Sequence, residues 1–363
     1  MKPDRPLTHY ESHLAVQSDI APSSDKIGDP RRSLLGPALR AAQIVKPGRD
    51  PISRAQMMDC VFRSMSDMIR LFGSPQAQTT WNEQFALVNT HRAGSHVYRI
   101  AGELTHLLRD CSFKVEKRSV RPPHAAVYLV WEDNGMTIEG PDGAVYPLEG
   151  AYVLHMHESD NSEEPGWQLY LVFVTKEETL GKGNILWLRR AWNPDSTEIV
   201  DSKTIAADTL QRFAEKGRKA GTDLEQAFNL VVNTLLYLTL PSAELRFVQP
   251  EIAKRGLHAK NPKKAEKAAR SINRQVAYRC YTLVGENVRY VRRGAESAGT
   301  GEHTNRRLTS RQLVSGHFKT VHFGEKNEQH RIHFIAPYHR GPKDAAEAAA
   351  VHIAKVLSPK KEE

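Results

Sequence analysis

The sequence is short of cysteine, of long apolar runs and of nucleotide-binding loops, and each shortage closes off a class of function. Only Cys60, Cys111 and Cys280 occur among 363 residues, widely separated, which excludes a disulfide framework and a cysteine-based zinc finger. No stretch approaches the roughly 18 uninterrupted apolar residues of a membrane span. The best candidate, Ala227 to Leu240, is too short and carries Asn229 and Asn233. The first residues, with Asp4, His9 and Glu11, lack the charged-then-apolar order of a secretory signal. There is no G-x-x-x-x-G-K-[ST] loop, and Gly181-Lys182-Gly183 has no third glycine leading a helix. No internal repeat is visible. The expectation is a soluble protein of a reducing compartment, cytoplasmic, with no cofactor and no membrane partner.

Charge is plentiful but unevenly placed. The chain holds 51 Lys and Arg against 42 Asp and Glu, a net charge of +9. Residues 246–343 contain 21 basic and 7 acidic side chains, whereas the remainder contains 30 and 35. A basic surface raises the local concentration of anions, so the C-terminal third points to a polyanionic or acidic partner.

The spacing of apolar residues divides the chain. Residues 1–51 hold seven of the twenty prolines and little periodic pattern, and read as a disordered arm. Ser53 and Gln56 form an S-x-x-Q capping box ahead of a methionine-rich helical stripe from Met57 to Phe72. Val97, Ile100, Ala101, Leu104, Leu107 and Leu108 suggest a second amphipathic helix. From about Phe113 the period becomes alternating. Val127–Trp131, Met136–Ile138, Ala144–Leu148, Tyr152–His157, Trp167–Val174 and Ile185–Trp192 read as short strands. Their links, such as Asp133-Asn134-Gly135 and Glu164-Pro165-Gly166, are too short for parallel crossovers. Asp223 and Gln226 read as the cap of an almost wholly apolar helix that ends at Pro241 and reads as buried. Residues 252–272 form a basic connector, with Lys260, Lys263, Lys264 and Lys267. Val276–Val284 with Val288–Arg292, and His317–Phe323 with His330–Ala336, read as two hairpins. The expected fold class is α+β: an antiparallel meander sheet packed with helices, plus a basic C-terminal region of two β-hairpins. The expected units are a 1–51 arm, a 52–245 core, a 246–341 hairpin region and a 342–363 helix and tail.

Few side chains are spaced for catalysis. Asp195, Asp201 and Lys203 resemble a metal-dependent nuclease signature only superficially. His155 and His157 share a strand face at i, i+2, yet no cysteine stands close, and a structural role is favoured. Seven of sixteen histidines follow residue 300, among them His317, His322, His330, His333 and His339. Alternation divides these between faces, and the surrounding basic residues disfavour a metal cation. The hairpin fits an anion- or RNA-contacting surface better. Strict alternation puts Val321 and Phe323 on one face beside Ile332 and Phe334. The other face then shows Phe318, Thr320 and His322 with Arg331 and His333, so that rings interleave with cations. A half-buried sheet whose aromatics fill the core is the competing reading.

The run Ser315-Gly316-His317-Phe318, then Gly324, then Arg331-Ile332-His333-Phe334-Ile335-Ala336-Pro337-Tyr338 resembles the C-terminal signature of the second type V-A family of anti-CRISPR proteins. In that pattern an arginine stands where this chain has Ser315 and a tryptophan where it has Phe318. The order of the Tyr98–Cys111, Ala126–Trp131, Leu230–Leu240 and Tyr278–Val291 segments is also similar, so the resemblance spans about residues 95–340. It implies a phage- or plasmid-borne inhibitor that lowers production of an effector nuclease. Its implied partner is the nascent effector chain or the effector mRNA, on the ribosome or off it. No nucleophile and no metal site follow from it.

The expected protein is therefore a non-enzymatic binder whose site residues are Gly316, His317, Phe318, Arg331, His333, Tyr338 and Arg340. Gly316 would permit close backbone approach, His317 would donate a hydrogen bond, Phe318 and Tyr338 would stack, and the arginines would meet phosphate or carboxylate. The alternatives are a ribonuclease using His317, His322 or His333 as general acid and base, and a nucleic-acid-binding regulator of a mobile element, for which no helix-turn-helix is evident. If the basic connector contacts RNA, replacing Lys260, Lys263, Lys264 and Lys267 together with Ala should flatten the salt dependence of binding, because each neutralised phosphate releases counterions. An unchanged salt slope in a titration of the quadruple variant removes the connector from the interface.

Overall fold

The structure, a computed structural model, describes residues 50–53, 56–57, 85–139, 144–158, 166–175, 186–204, 223–248, 280–288, 290 and 312–340. The arm up to residue 49, most of the methionine-rich stripe, the basic connector and the segment after residue 340 lie outside the described residues. After helical residues 85–92, the elements in chain order are β1 (Val97–Ile100), α1 (Gly102–Asp110), β2 (Ser112–Glu116), β3 (Ala126–Trp131), β4 (Thr137–Glu139), β5 (Val145–Glu158), β6 (Gly166–Thr175), β7 (Leu186–Ala191) and β8 (Ile199–Asp201). They continue with α2 (Leu224–Leu238), β9 (Leu245–Val248), β10 (Tyr281–Val284), β11 (Gln312–Val314), β12 (His317–Phe323), β13 (Gln329–Ile335) and β14 (Tyr338–Arg340).

The class is α+β, but the sheets are mixed rather than an antiparallel meander with two appended hairpins. In the large sheet the order is β7-β6-β5-β3-β1-β10-β9, with β4 paired to β5. The β3-β5-β6-β7 run is antiparallel. Strand β1, however, is parallel to both of its neighbours, β3 and β10. Val97 and Ile100, three apart, mimic helical spacing, but they lie in this strand and contribute to opposite cores. The helix begins only at Gly102. Both edges of β1 are hydrogen-bonded and both faces buried, and this tertiary pairing overrides the local pattern.

The expected hairpin around Gly285 is also absent among the described residues. Strand β10 pairs with β9 and β1 instead, and the chain then turns across α1. Gly285 has φ +71°, and a Cβ there would lie 2.3 Å from Leu104 Cδ2, so only glycine fits. Beyond it the Tyr290 backbone N–H donates to Glu103 Oε2 at 2.8 Å and its hydroxyl donates to Asp110 Oδ2 at 3.0 Å.

Alternation in β3, β5 and β6 feeds two cores. Tyr128, Tyr152 and Tyr170 face one side, with Phe85, Leu87, Val88 and Met57. There the capping box forms as expected: the Ser53 N–H donates to Gln56 Oε1 at 2.8 Å, and the Gln56 N–H to Ser53 Oγ at 3.1 Å. Val127, Leu129, Trp131, Val153, Leu171 and Phe173 face the other side, against α1 and α2.

Helix α2 is buried nearly all round, as its composition requires. Asp223 at its start does not cap it with its side chain; the carboxylate instead accepts from the Thr137 N–H and hydroxyl. Its polar residues are anchors. Thr234 Oγ accepts from Trp131 Nε1 at 3.1 Å, and Asn233 Nδ2 donates to the carbonyls of Leu108 at 2.8 Å and Cys111 at 2.9 Å.

The second sheet has the order β13-β12-β2-β8. Its inner face, with Phe113, Val115, Val200 and Phe318, joins the same core as α1, α2 and the large sheet. Among the described residues no helix is long and apolar enough to cross a membrane. Replacing Asn233 with Ala removes this donor from two buried carbonyls: Leu108 keeps the Cys111 N–H at 3.3 Å, and Cys111 is left an unsatisfied group worth about 1–3 kcal/mol. A loss of about 1–3 kcal/mol in denaturant unfolding is expected, and an unchanged midpoint would show that the amide is dispensable.

Candidate functional site

The sequence places Phe318, Arg331 and His333 on one face of the C-terminal hairpin; the observed register separates them. Strands β12 and β13 are antiparallel with Phe318 opposite Phe334, Lys319 opposite His333, Thr320 opposite Ile332 and Val321 opposite Arg331. Directly opposed residues share a face. Phe318, Thr320, Ile332 and Phe334 therefore look inward, while Lys319, Val321, Phe323, Arg331 and His333 look outward. The cause is β2. It pairs with β12 in parallel, with Phe113 in register with Phe318 and Lys114 with Lys319, and its own burial alternates from exposed Ser112 to buried Phe113 to exposed Lys114. A strand fixed on the core at Phe113 and Val115 dictates which side chains of its neighbour turn inward.

Two of the expected site residues thus have structural work. Phe318 is fully buried, its ring centroid 4.8 Å from that of Phe334, and it has no face to offer a base. Gly316 does permit a close approach, but an internal one. A Cβ there would lie 2.8 Å from Cys111 Sγ and 2.9 Å from Pro337 Cδ. The Gly316 carbonyl accepts the Ser112 N–H at 3.1 Å, the bond that starts the β2–β12 pairing. Burial, and the charge of neighbouring Asp110, push the Cys111 thiol above its ordinary range, so it stays protonated as packing.

Across the outer face runs a row that no single segment of sequence reveals: Asp201 on β8, Lys114 on β2, Lys319 on β12 and His333 on β13, each in register with the next. Asp201 is committed locally. It accepts from the Lys203 and Thr204 N–H groups and the Thr204 hydroxyl, and those bonds, with Lys114 nearby, hold its carboxyl below the usual range. The superficial nuclease signature around it is therefore a turn cap.

Lys114 and Lys319 are exposed, directly adjacent and of like sign. One strand repeat along β12, Arg331 sits beside Val321, its guanidinium 5.4 Å from the Phe323 ring centroid. Phe323 keeps 39% of its surface exposed. His317, half-buried on the same face, has Nδ1 3.4 Å from the Ser315 carbonyl. Tyr338 and Arg340 belong to a separate two-stranded ladder with β11, where Tyr338 is exposed. Lys260, Lys263, Lys264 and Lys267 lie outside the described residues.

His322 and His330 differ: they share the Phe318 face by register but lie at its exposed end. His322 Nε2 lies 3.0 Å from Glu116 Oε1, a nearly buried carboxylate whose other oxygen accepts from Arg118 Nε. His330 stands directly opposite His322. On the large sheet His155 is buried with Nε2 3.0 Å from the Trp192 carbonyl, and burial lowers its pKa, whereas His157 is exposed. Sequence reasoning missed Lys114, Lys319 and Phe323 as members of one surface. The alternation Ser112-Phe113-Lys114-Val115 is legible by itself, but its partnership with a strand some two hundred residues later is not.

The family model described as AcrVA2-like, anti-CRISPR type V subtype A2 family, matches residues 98–341. That span contains both sheets' central strands, both labelled helices and the outer row. Comparison with curated proteins finds no match. Because Phe318 is core and Phe323 is surface, Phe318→Ala should cost about 3–5 kcal/mol of stability. Phe323→Ala should stay within about 0.5 kcal/mol of the unmodified protein. Equal stabilities in parallel urea titrations would overturn the assignment of faces.

Proposed function

Since this chain belongs to the anti-CRISPR type V subtype A2 family, we propose that it lowers production of a CRISPR effector nuclease by binding that nuclease's transcript or its emerging polypeptide. Family membership supplies the target system, and the outward row supplies the contact surface. The observation that carries the reading is the in-register Lys114–Lys319 pair. Like charges side by side on a sheet repel; Asp201 beside Lys114 offsets part of that cost, and an anionic partner would remove the rest. Arg331 and His333 extend the surface on β13. Tyr338 and Arg340 border the same C-terminal segment and act as secondary contacts. The protein acts as a binder, in the same compartment as the translation machinery that makes its target.

A second reading, cleavage of the transcript by the protein itself, draws on one observation. His322 is held by Glu116 and faces His330, and two imidazoles can divide general-base and general-acid duty. One experiment addresses both. Effector protein and mRNA are measured in cells that co-express the nuclease with the unmodified protein, with Lys114→Gln/Lys319→Gln, or with His322→Gln/His330→Gln. The binder reading expects low effector levels with the unmodified protein, restored levels with the lysine pair, and continued inhibition with the histidine pair. Restoration by the histidine pair with full lysine-dependent binding would promote cleavage instead. Normal effector levels alongside inhibition of nuclease already assembled would sink the proposal.

A further inference from the structure

We propose that the outer face of the β13-β12-β2-β8 sheet is a platform for single-stranded RNA, with Lys114 and Lys319 holding phosphate and Phe323, backed by Arg331, stacking a base. The inference rests on the reading above and names the ligand chemistry of the same surface.

Three features select a polynucleotide over an acidic peptide. First, the cations are concentrated on an open sheet face. Lys114, Lys319, Arg331 and His333 are all exposed, and Lys319 forms no ion pair among the described residues. Asp201, in register with Lys114 at the end of the row, is held by its own turn and offsets one of these cations, which leaves Lys319 and Arg331 in excess. Second, an aromatic ring lies on that same face, exposed, with a guanidinium beside it. Carboxylates gain nothing from the face of a phenyl ring, whereas every base presents a π-face to it, and arginine adds a cation–π contribution. Third, the spacing suits a strand of alternating charge and ring. Lys319 and Phe323 lie four residues apart on β12, roughly 13 Å at the usual strand rise, so phosphate contacts and a stacked base occupy separate stations along one line.

A double helix is disfavoured by the same geometry. Its bases are already stacked on one another, and the flat sheet offers no element to enter a groove. The face is also built on rigid support. Beneath Lys114 and Lys319 their neighbours Phe113, Val115 and Phe318 are buried in the main core, so the backbone that carries the cations needs no ordering when the ligand arrives.

The test uses the full chain, purified free of nucleic acid, and fluorescence anisotropy with three probes. These are a fluorescein-labelled single-stranded RNA of about 20 nucleotides and mixed sequence, the same RNA annealed to its complement, and a labelled polyglutamate. The unmodified protein should bind the single strand at least about tenfold more tightly than either competitor. Lys114→Gln/Lys319→Gln should weaken it at least tenfold. It should also reduce the salt slope by about 1.4, the value for two lost phosphate contacts on a single strand. Phe323→Ala should weaken binding roughly 5- to 100-fold with little change in that slope. Arg246→Gln, a basic residue paired with Glu286 on the other sheet, should bind like the unmodified protein, and thermal melts confirm that every variant is folded.

Equal affinity for duplex, preference for polyglutamate, or an unaffected lysine double variant would each overturn the inference. Its failure is separable from that of the functional reading. If the lysine variant loses inhibition in cells while the purified protein ignores RNA, the surface acts on a polypeptide and only the inference falls. If RNA binds as described while effector production is untouched, the inference stands and the reading falls.

Discussion

The two hydrogen bonds donated by the Asn233 amide fix the geometry on which the rest of the molecule depends. The last carbonyls of a helix are short of partners, and at the end of α1 that of Leu108 has only a 3.3 Å bond from the Cys111 N–H, while that of Cys111 looks to α2. A single side chain in an otherwise apolar helix answers both. In doing so it sets where α1 stops and where β2 departs. The departure of β2 then sets everything on the second sheet. Ser112 bonds to the Gly316 carbonyl, Gly316 fits against Cys111 because it has no side chain, and β12 falls into register with Phe113 beside Phe318. One buried amide thus reaches the outer face through three contacts.

That outer face is assembled against local preference. An isolated sheet would not choose two opposed lysines with a histidine and an arginine alongside. The core beneath is strong enough to hold them: the inward side chains of β2 and β12 are part of a cluster that includes α1, α2 and residues of β1, β3, β5, β6 and β10 in the large sheet. A structure tolerates such unfavourable placement where a ligand compensates it, which is the role proposed above for this face.

Much of this fold can be read from the residues in order, and the parts that cannot share one physical cause. The capping box at Ser53 and Gln56, the buried character of Phe228 to Leu238, and the strands around Tyr128, Tyr152 and Tyr170 are all local signals, and all correspond to observed features. Ala144–Leu148 and Tyr152–His157, separate by pattern, merge into the single long strand β5 because the irregularity between Leu148 and Gly150 is absorbed as a shift in register. The misreadings lie where distant segments meet. Val97 and Ile100 carry a helical spacing that two parallel neighbours override. Alternation inverts the hairpin faces on β13, because only the register with β12, not the pattern of either strand, sets which residue stands opposite Phe318. The glycine, histidine and arginine of the C-terminal run are evident as unusual residues, but Gly316 meets Cys111 and Pro337 rather than a partner.

The position of β10 in the large sheet has a consequence for how the molecule is made. Strand β1 is complete by residue 100, yet one of its two parallel partners begins at Tyr281. At ordinary rates of synthesis the intervening stretch takes roughly 10–40 s to emerge. During that interval the β1 edge is unpaired, and β2 likewise waits for β12. Pairings this far apart in sequence carry a high loop-closure cost and form slowly. The protein is therefore a late folder whose central sheets close from the C-terminal side. A truncated product would carry two open strand edges flanked by apolar faces, the condition that most readily leads to aggregation.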